Sequence, residues 1–390
     1  MVDVAVIGVG QTRYGMFPEK NLKTLFHEAA TAALADVDKG LDPKDVDEAF
    51  VGTLSTGGAQ LGNFAPLMME ACGMVGAGAR HIENACASSG FAVRDAVSAI
   101  ASGRAKVAVA AGIEKMSDLP RERNRLWLGI SGDVEWERLA GTNFAGIYAM
   151  MARRHMHDFG TKKEHITMAA VKNRNNAVAN PKAQFRAPLT LEQGMATPNL
   201  ASPLTFADSC GITDGASMAI LCRADMARDF TDQPVLVIGS GAGSDYVAIH
   251  DRPSMTMLKG AFEAGKEAYA MAGITSDDID FAEVHDCFAI AELLAYEDLG
   301  FCPRGKSGPY IESGATLRDG ARPVNNSGGL IAKGHPIGST GTGQVYEVVN
   351  QLRGRADTQE RQLSGARYGL THNVGGSGAA VAVHIFKAVE

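Results

Sequence analysis

The chain has 390 residues, 45% of them hydrophobic and 21% charged, with 45 glycines and a formal net charge of −7. That length supports two domains or one large α/β unit with insertions, and the acidic balance excludes nucleic acid or an anionic membrane as the main partner, because a phosphate surface needs a basic face. Six cysteines without a CxxC pair are too sparse for a disulfide framework, no run of about 18 apolar residues offers a membrane span, and the chain opens on a strand-like segment; a reduced, cytoplasmic protein is expected.

In chain order, "VDVAVIGVG" reads as a buried strand, and "AATAALADVDKGLDPKDVDEAFVGT" as an alanine-rich helix, a loop and a strand from Val46 to Val51. A helix is expected to begin close to Cys86, since Val93, Ala96, Val97 and Ile100 fall at i, i+3, i+4 and i+7. The strand "VAVAAG" follows from Val107. Between residues 117 and 202 the pattern changes to charge-rich helices and proline-containing loops, which reads as an inserted lid or loop domain. "DGASMAILCR", near Asp214, is a small-residue turn leading into a buried strand.

A second half starts at Pro234 and echoes the first. "AGKEAYAMAGITSDDIDFAEVHDC" repeats helix, loop and strand, the strand running from Ile279 to Val284, and Asp278-Ile279-Asp280 matches Asp45-Val46-Asp47. Val345, Val348, Val349 and Leu352 mark a further helix, and "GGSGAAVAVHIF" near Gly375 rhymes with the ending of the first half. The expectation is a duplicated α/β fold, with halves at 1–233 and 234–390. Two glycine-rich segments invite a dinucleotide reading. In "VIGVGQTR" Arg13 stands where the third glycine is needed, and in "VIGSGAGS" Ser244 does; both are expected to be tight turns.

Three stretches carry candidate chemistry. Cys86 lies at an expected helix start, where free N–H groups and the positive dipole end lower a thiol pKa, and the small residues of "ACASSG" leave room for an acyl group. A cysteine there equally packs as a small buried hydrophobe. His335 sits on a glycine-dense loop held by Pro336, from which an imidazole can face a cleft. His285 and Cys287 follow the strand ending at Val284, the end of a strand where open α/β sheets collect catalytic groups; the plain alternative is a capping Asp286 beside a packing cysteine. No metal centre is expected, because CxxC, HxxxH and HExxH are absent and the candidates are scattered over about 250 residues. A thiol nucleophile, an imidazole base and a second thiol as acid/base explain the same residues. A serine hydrolase is disfavoured, Cys86 standing where GxSxG needs its first glycine.

The motifs "NACASSG", "HDCF", "GGLIAKGHPIGSTG" and "HNVGGSG", in that order and on duplicated halves, resemble those of the thiolases along nearly the full chain, and within them the sterol-carrier-protein type. The resemblance implies two βαβαβαββ halves in a five-layered α-β-α-β-α sandwich with an inserted loop domain, assembled as a homodimer or a dimer of dimers. It also implies ping-pong acyl transfer between coenzyme A thioesters, with coenzyme A as co-substrate and no permanently bound cofactor. Cys86 would then be the nucleophile. His335 would activate it and, with His285, hold the thioester oxygen where enolate charge develops; the N–H groups of Cys86 and Gly375 would form a second oxyanion hole. Common thiolases carry Asn-Glu where His285-Asp286 stands and a late Cys-x-Gly where Asn373-Val374-Gly375 stands, so Cys287 takes the place of the missing acid/base. A register one residue earlier would put His372 there. Cys210 is a candidate for the pantetheine channel, and Lys172, Arg174 and Arg186 of the lid for the coenzyme A phosphates.

Degradation of a 3-oxoacyl-CoA, with an acyl chain open to bulky, branched or aromatic groups, is the leading expectation. The competing readings are an acetyl-CoA acetyltransferase working with a small zinc-ribbon and OB-fold accessory protein, a decarboxylating ketoacyl synthase, and a non-catalytic scaffold.

Overall fold

The computed structural model describes residues 3–389. Strands and helices alternate in the first half: β1 (Val4–Gln11), α1 (Leu22–Ala35), β2 (Glu48–Gly52), α2 (Phe64–Ala71), β3 (Gly78–Ile82), α3 (Ser88–Ala101) and β4 (Val107–Glu114). An inserted run follows: α4 (Arg121–Leu128), α5 (Phe144–Phe159), α6 (Lys163–Ala177), α7 (Leu191–Met195), β5 (Asn199–Ala201) and β6 (Leu204–Thr205), before β7 (Gly215–Arg223). The rest comprises β8 (Val235–Ser244), α8 (Lys259–Ala272), β9 (Phe281–Glu283), α9 (Ala289–Asp298), α10 (Ser307–Glu312), α11 (Gly329–Ala332), α12 (Thr340–Leu352), β10 (Tyr368–Gly375) and β11 (Ala380–Ala388).

The strand order β3-β2-β4-β7-β1 runs on into β8-β11-β10-β9, the two parts joined where Val4 to Val6 pair with Val237 to Val235. Each part carries the same order about its own first strand. In the second part, the strand equivalent to β3 is reduced to one bridge between Ala282 and Val324. Period-two alternation sorts side chains to opposite faces: Ala5, Ile7 and Val109 pack outward with Phe26, Ala30 and Met68. Val4, Val6, Ala108 and Ala110 pack inward with Val93, Val97, Val345 and Val349, and Phe281 and Phe386 close that core from the other part. Helices α3 and α12 therefore form the middle of five layers, with α1 and α2 outside one sheet portion and α8 outside the other.

The glycine pairs expected as turns lie inside strands. A Cβ at Gly10 would sit 2.2 Å from the Ala29 carbonyl oxygen, and one at Gly241 1.9 Å from that of Ala264; these glycines let α1 press on β1 and α8 on β8, the same device in each half. The inserted run packs on the second half: Ile147, Met151 and Ile166 share a core with Leu293 and Leu294. That docking carries α5 over the turn after β9, and so over the site.

Candidate active site

The first-half strands β2, β3 and β4 are parallel, and the turn after β3 presents Cys86. Ala85 there is held at φ +50°, a left-handed conformation uncommon outside glycine. Local hydrogen bonds sustain it: Asn84 N–H donates to Ser88 Oγ at 3.0 Å, the Ser88 hydroxyl donates to the Ala85 carbonyl at 2.6 Å, and Ala85 N–H donates to the Glu83 carboxylate at 2.6 Å. Cys86, partly exposed, projects from this turn just before α3. Its sulfur and a ring nitrogen each from His285 and His335 lie within 4.8 Å of one another, and the two rings meet edge to face with centroids 5.1 Å apart.

The surrounding bonds set the imidazole tautomers. The Thr340 hydroxyl donates to the Pro336 carbonyl at 3.0 Å, so its oxygen accepts from His335 Nδ1–H at 2.6 Å. His335 Nε2 is left with a bare lone pair, the state of a general base. Asn373 fixes the opposite state at His285. Its amide oxygen accepts Gly90 N–H at 3.2 Å and its Nδ2 donates to the Cys86 carbonyl at 2.9 Å, so the NH₂ group also faces His285 Nδ1, 3.3 Å away. His285 Nδ1 must accept, its proton resides on Nε2, and that buried donor has no protein partner. A protonated Nε2 cannot coordinate a cation, so the cysteine and two histidines do not suit a metal ion.

Burial sets the charge states. It pushes the Cys86 thiol up, with the neighbouring Cys287 adding to the effect, lowers His335 to about 3 and drives His285 well below its usual range, helped by His335 and His372. The expected lowering of the Cys86 pKa is thus corrected, because desolvation outweighs the helix end. At rest the pair is neutral thiol and neutral imidazole. Alkylation of Cys86 by iodoacetamide is expected to keep accelerating above pH 9; a plateau below pH 8 would show a stabilised thiolate.

The backbone N–H groups of Gly376 and of Cys86 itself reach the sulfur. Gly375, the donor expected for the oxyanion, ends β10 opposite Ala380, one residue before that contact. Gly376 turns at φ +60°, and a Cβ there would lie 2.8 Å from the Ser131 carbonyl oxygen. His372, the alternative register, sits behind His285 and accepts its N–H through Nδ1 at 3.4 Å.

Cys287 follows β9 and is buried, its thiol pushed up to about 12 by desolvation. Its carbonyl accepts Cys210 N–H at 3.1 Å, placing Cys210 beside it. Asp286 is a cap, but for α11 rather than for α9: it accepts Leu330 N–H at 2.6 Å and Ile331 N–H at 3.2 Å, tying the His285 turn to the segment that leads to His335. Two further residues had no motif to announce them. Glu114, at the end of β4, accepts the N–H groups of Leu54 at 2.9 Å, Thr56 at 2.7 Å and Gly338 at 3.0 Å, and so anchors the His335 loop. Tyr148 of α5 is buried against Phe288 and Cys287.

Two family models cover most of the chain, the thiolase N-terminal domain over residues 1–225 and the thiolase C-terminal domain-like model over 241–388. The chain belongs to the thiolase family. It is 44% identical over 388 residues to an acetyl-CoA acetyltransferase of Methanothermobacter thermautotrophicus, covering 99% of this chain and 100% of that protein. It is 33% identical to human sterol carrier protein 2, covering 98% of this chain and 72% of that one. Among solved structures it is similar to one described as the Ltp2-ChsH2(DUF35) aldolase, at 26% identity and a TM-score of 0.86 over 99% of this chain and 98% of that chain.

In this thiolase a cleft of about 580 Å³ opens beside Phe288, next to Cys287, walled also by Leu128, Phe144, Leu200 and Ile212, with Arg121 and Arg125 among its lining residues. Leu128 and Ile212 also pack, as Cys86 does, against the apolar cluster of Leu54, Met116 and Ile337, which places the cleft near Cys86. Arg121, Arg125 and Leu128 recur at helical spacing on one face of α4. The lid cations expected at coenzyme A each have a protein partner. Lys172 is buried in an ion pair with Glu292 at 2.8 Å, Arg174 stacks 4.3 Å over the Phe185 ring, and the Arg186 guanidinium donates to the Val178 carbonyl at 3.3 Å.

Proposed function

We propose that this thiolase moves an acyl group between a 3-oxoacyl-CoA and coenzyme A through a thioester on Cys86, with acetoacetyl-CoA as the leading substrate. The observation that carries the chemistry is the convergence of Cys86, His285 and His335, whose hydrogen bonds assign a bare Nε2 to His335 and a protonated Nε2 without a protein partner to His285. As the sulfur attacks the keto carbon, His335 takes its proton, and the N–H groups of Gly375 and Cys86 hold the tetrahedral oxyanion. The carbon–carbon bond breaks, and its electron pair passes into the acetyl-CoA enolate, whose oxygen lies against His285 Nε2–H and the newly protonated His335. Cys287 gives its proton to the enolate carbon and acetyl-CoA leaves. The Cys287 thiolate regains a proton from solvent and coenzyme A attacks the thioester as its own thiolate; acyl-CoA departs, and Cys86 recovers its proton from His335. Asn373 keeps the nucleophile turn and His285 in register throughout.

The full-length 44% likeness to an acetyl-CoA acetyltransferase supports the short substrate. The apolar cleft supports a second reading in which larger acyl groups are accepted. Arg121 and Arg125 are the cations we assign to the coenzyme A phosphates; Arg125→Gln is expected to raise KM for coenzyme A several-fold with kcat unchanged. Steady-state thiolysis of a panel of 3-oxoacyl-CoAs decides the substrate: acetoacetyl-CoA should give the highest kcat/KM, and a preference for long or aromatic chains would select the second reading.

Assembly and location follow the same proposal. Strand β3 is an uncovered sheet edge, which supports a homodimer closed by edge pairing, and the division into halves at Pro234 falls between β7 and β8. An accessory protein finds support in Leu126, Trp136 and Leu139, apolar side chains 56%, 70% and 75% exposed, and in the DUF35 component named for the similar aldolase. Light scattering with and without such a protein tests both. Among the described residues no helix is long and apolar enough to cross a membrane, and all six cysteines are free, as suits the reducing cytoplasm.

A further inference from the structure

We propose that Tyr148 is a positioning residue for the carbon–carbon step: its hydroxyl stabilises the Cys287 thiolate and joins it to the Gly376 turn that holds the Cys86 sulfur. The inference rests on the acid/base role assigned above to Cys287.

Tyr148 lies on α5, in the inserted run, and reaches the site because that run docks on the second half. Its side chain is fully buried, with the ring 4.9 Å from that of Phe288 and tilted by 29°. A tyrosine used only for packing would bring an extra polar atom into the core. Here the hydroxyl donates to the Gly376 carbonyl at 3.2 Å and lies beside the Cys287 sulfur, where it favours the thiolate. Gly376 in turn directs its N–H to the Cys86 sulfur. One residue thus links the two thiols on its two sides.

A phenol has one proton to donate and lone pairs to accept. While its proton lies on the Gly376 oxygen, the Cys287 S–H is left free to point at the enolate carbon. When Cys287 has given up its proton, the tyrosine hydroxyl turns and donates to the thiolate, the state that this contact favours. The Gly376 carbonyl loses that partner for as long as the thiolate lasts. No proton leaves Tyr148 at any stage.

The test is Tyr148→Phe, which preserves ring size and the stack on Phe288. Thiolysis of acetoacetyl-CoA is expected to fall on the order of 10²-fold in kcat with KM unchanged. Acetylation of Cys86 from acetyl-CoA, which requires no proton at carbon, should stay within about twofold of wild type and reports that the site is folded. In a Cys287→Ala background, Tyr148→Phe should add nothing, as expected of two groups acting as one unit. Wild-type thiolysis by Tyr148→Phe, or an equal loss in both half-reactions, overturns the inference while leaving the role of Cys287 standing. Full thiolysis by Cys287→Ala alone overturns that underlying role, and this inference with it.

Discussion

Cys86→Ala is expected to lower acyl transfer by a factor on the order of 10⁶, the scale on which loss of a nucleophile silences a covalent mechanism. The fold should survive, because the sulfur projects from a turn whose geometry is set by other groups. Ser88 and Glu83 hold the backbone of that turn, and Asn373 bonds the Cys86 carbonyl rather than its side chain. Alanine at a partly exposed position removes one atom from the small cluster of Leu54, Met116 and Ile337, a loss of about 1 kcal/mol at most. Thermal denaturation beside the thiolysis assay checks both halves of the expectation. A variant that unfolds earlier by many degrees would make Cys86 a structural residue.

Cys287→Ala should separate the two half-reactions. Carbon–carbon cleavage is expected to drop by roughly 10²- to 10⁴-fold, the usual contribution of a placed acid, while acetylation of Cys86 from acetyl-CoA persists. The reason is the location of the thiol: it follows β9, beside but apart from the Cys86, His285 and His335 cluster. Burial pushes its thiol up to about 12, so it is protonated at neutral pH and ready to donate. Cys287→Ser keeps a proton at the same place and is expected to recover part of the lost rate. Cleavage at the wild-type rate in Cys287→Ala would remove the thiol from the mechanism.

The residues proposed to carry the chemistry stood out in the sequence because they punctuate strand ends. Cys86 precedes a helix that begins at Ser88, and His285 and Cys287 follow β9 as the hydrophobic pattern requires. The duplication was legible too, since the same strand order appears about β1 and β8. What escaped depends on neighbours distant in sequence. The helix-end expectation for the thiol gave way to burial, which depends on residues as distant in sequence as Leu54, Met116 and Ile337. Gly10 and Gly241 looked like turn residues until α1 and α8 were laid on their strands. Lys172 looked like a free lid cation, but Glu292 of α9 neutralises it where the insertion docks. Tyr148 lay in a charge-rich stretch with no catalytic signature, and its importance arises from where α5 lands.

The most direct measurement is intact-protein mass spectrometry after mixing the enzyme with acetyl-CoA, followed by peptide mapping. A single acetyl adduct on Cys86, removed by added coenzyme A and absent from Cys86→Ala, is the predicted result. An adduct that maps to Cys287 or Cys210, or turnover of acetoacetyl-CoA with no adduct at any cysteine, would contradict the covalent mechanism assigned to this site.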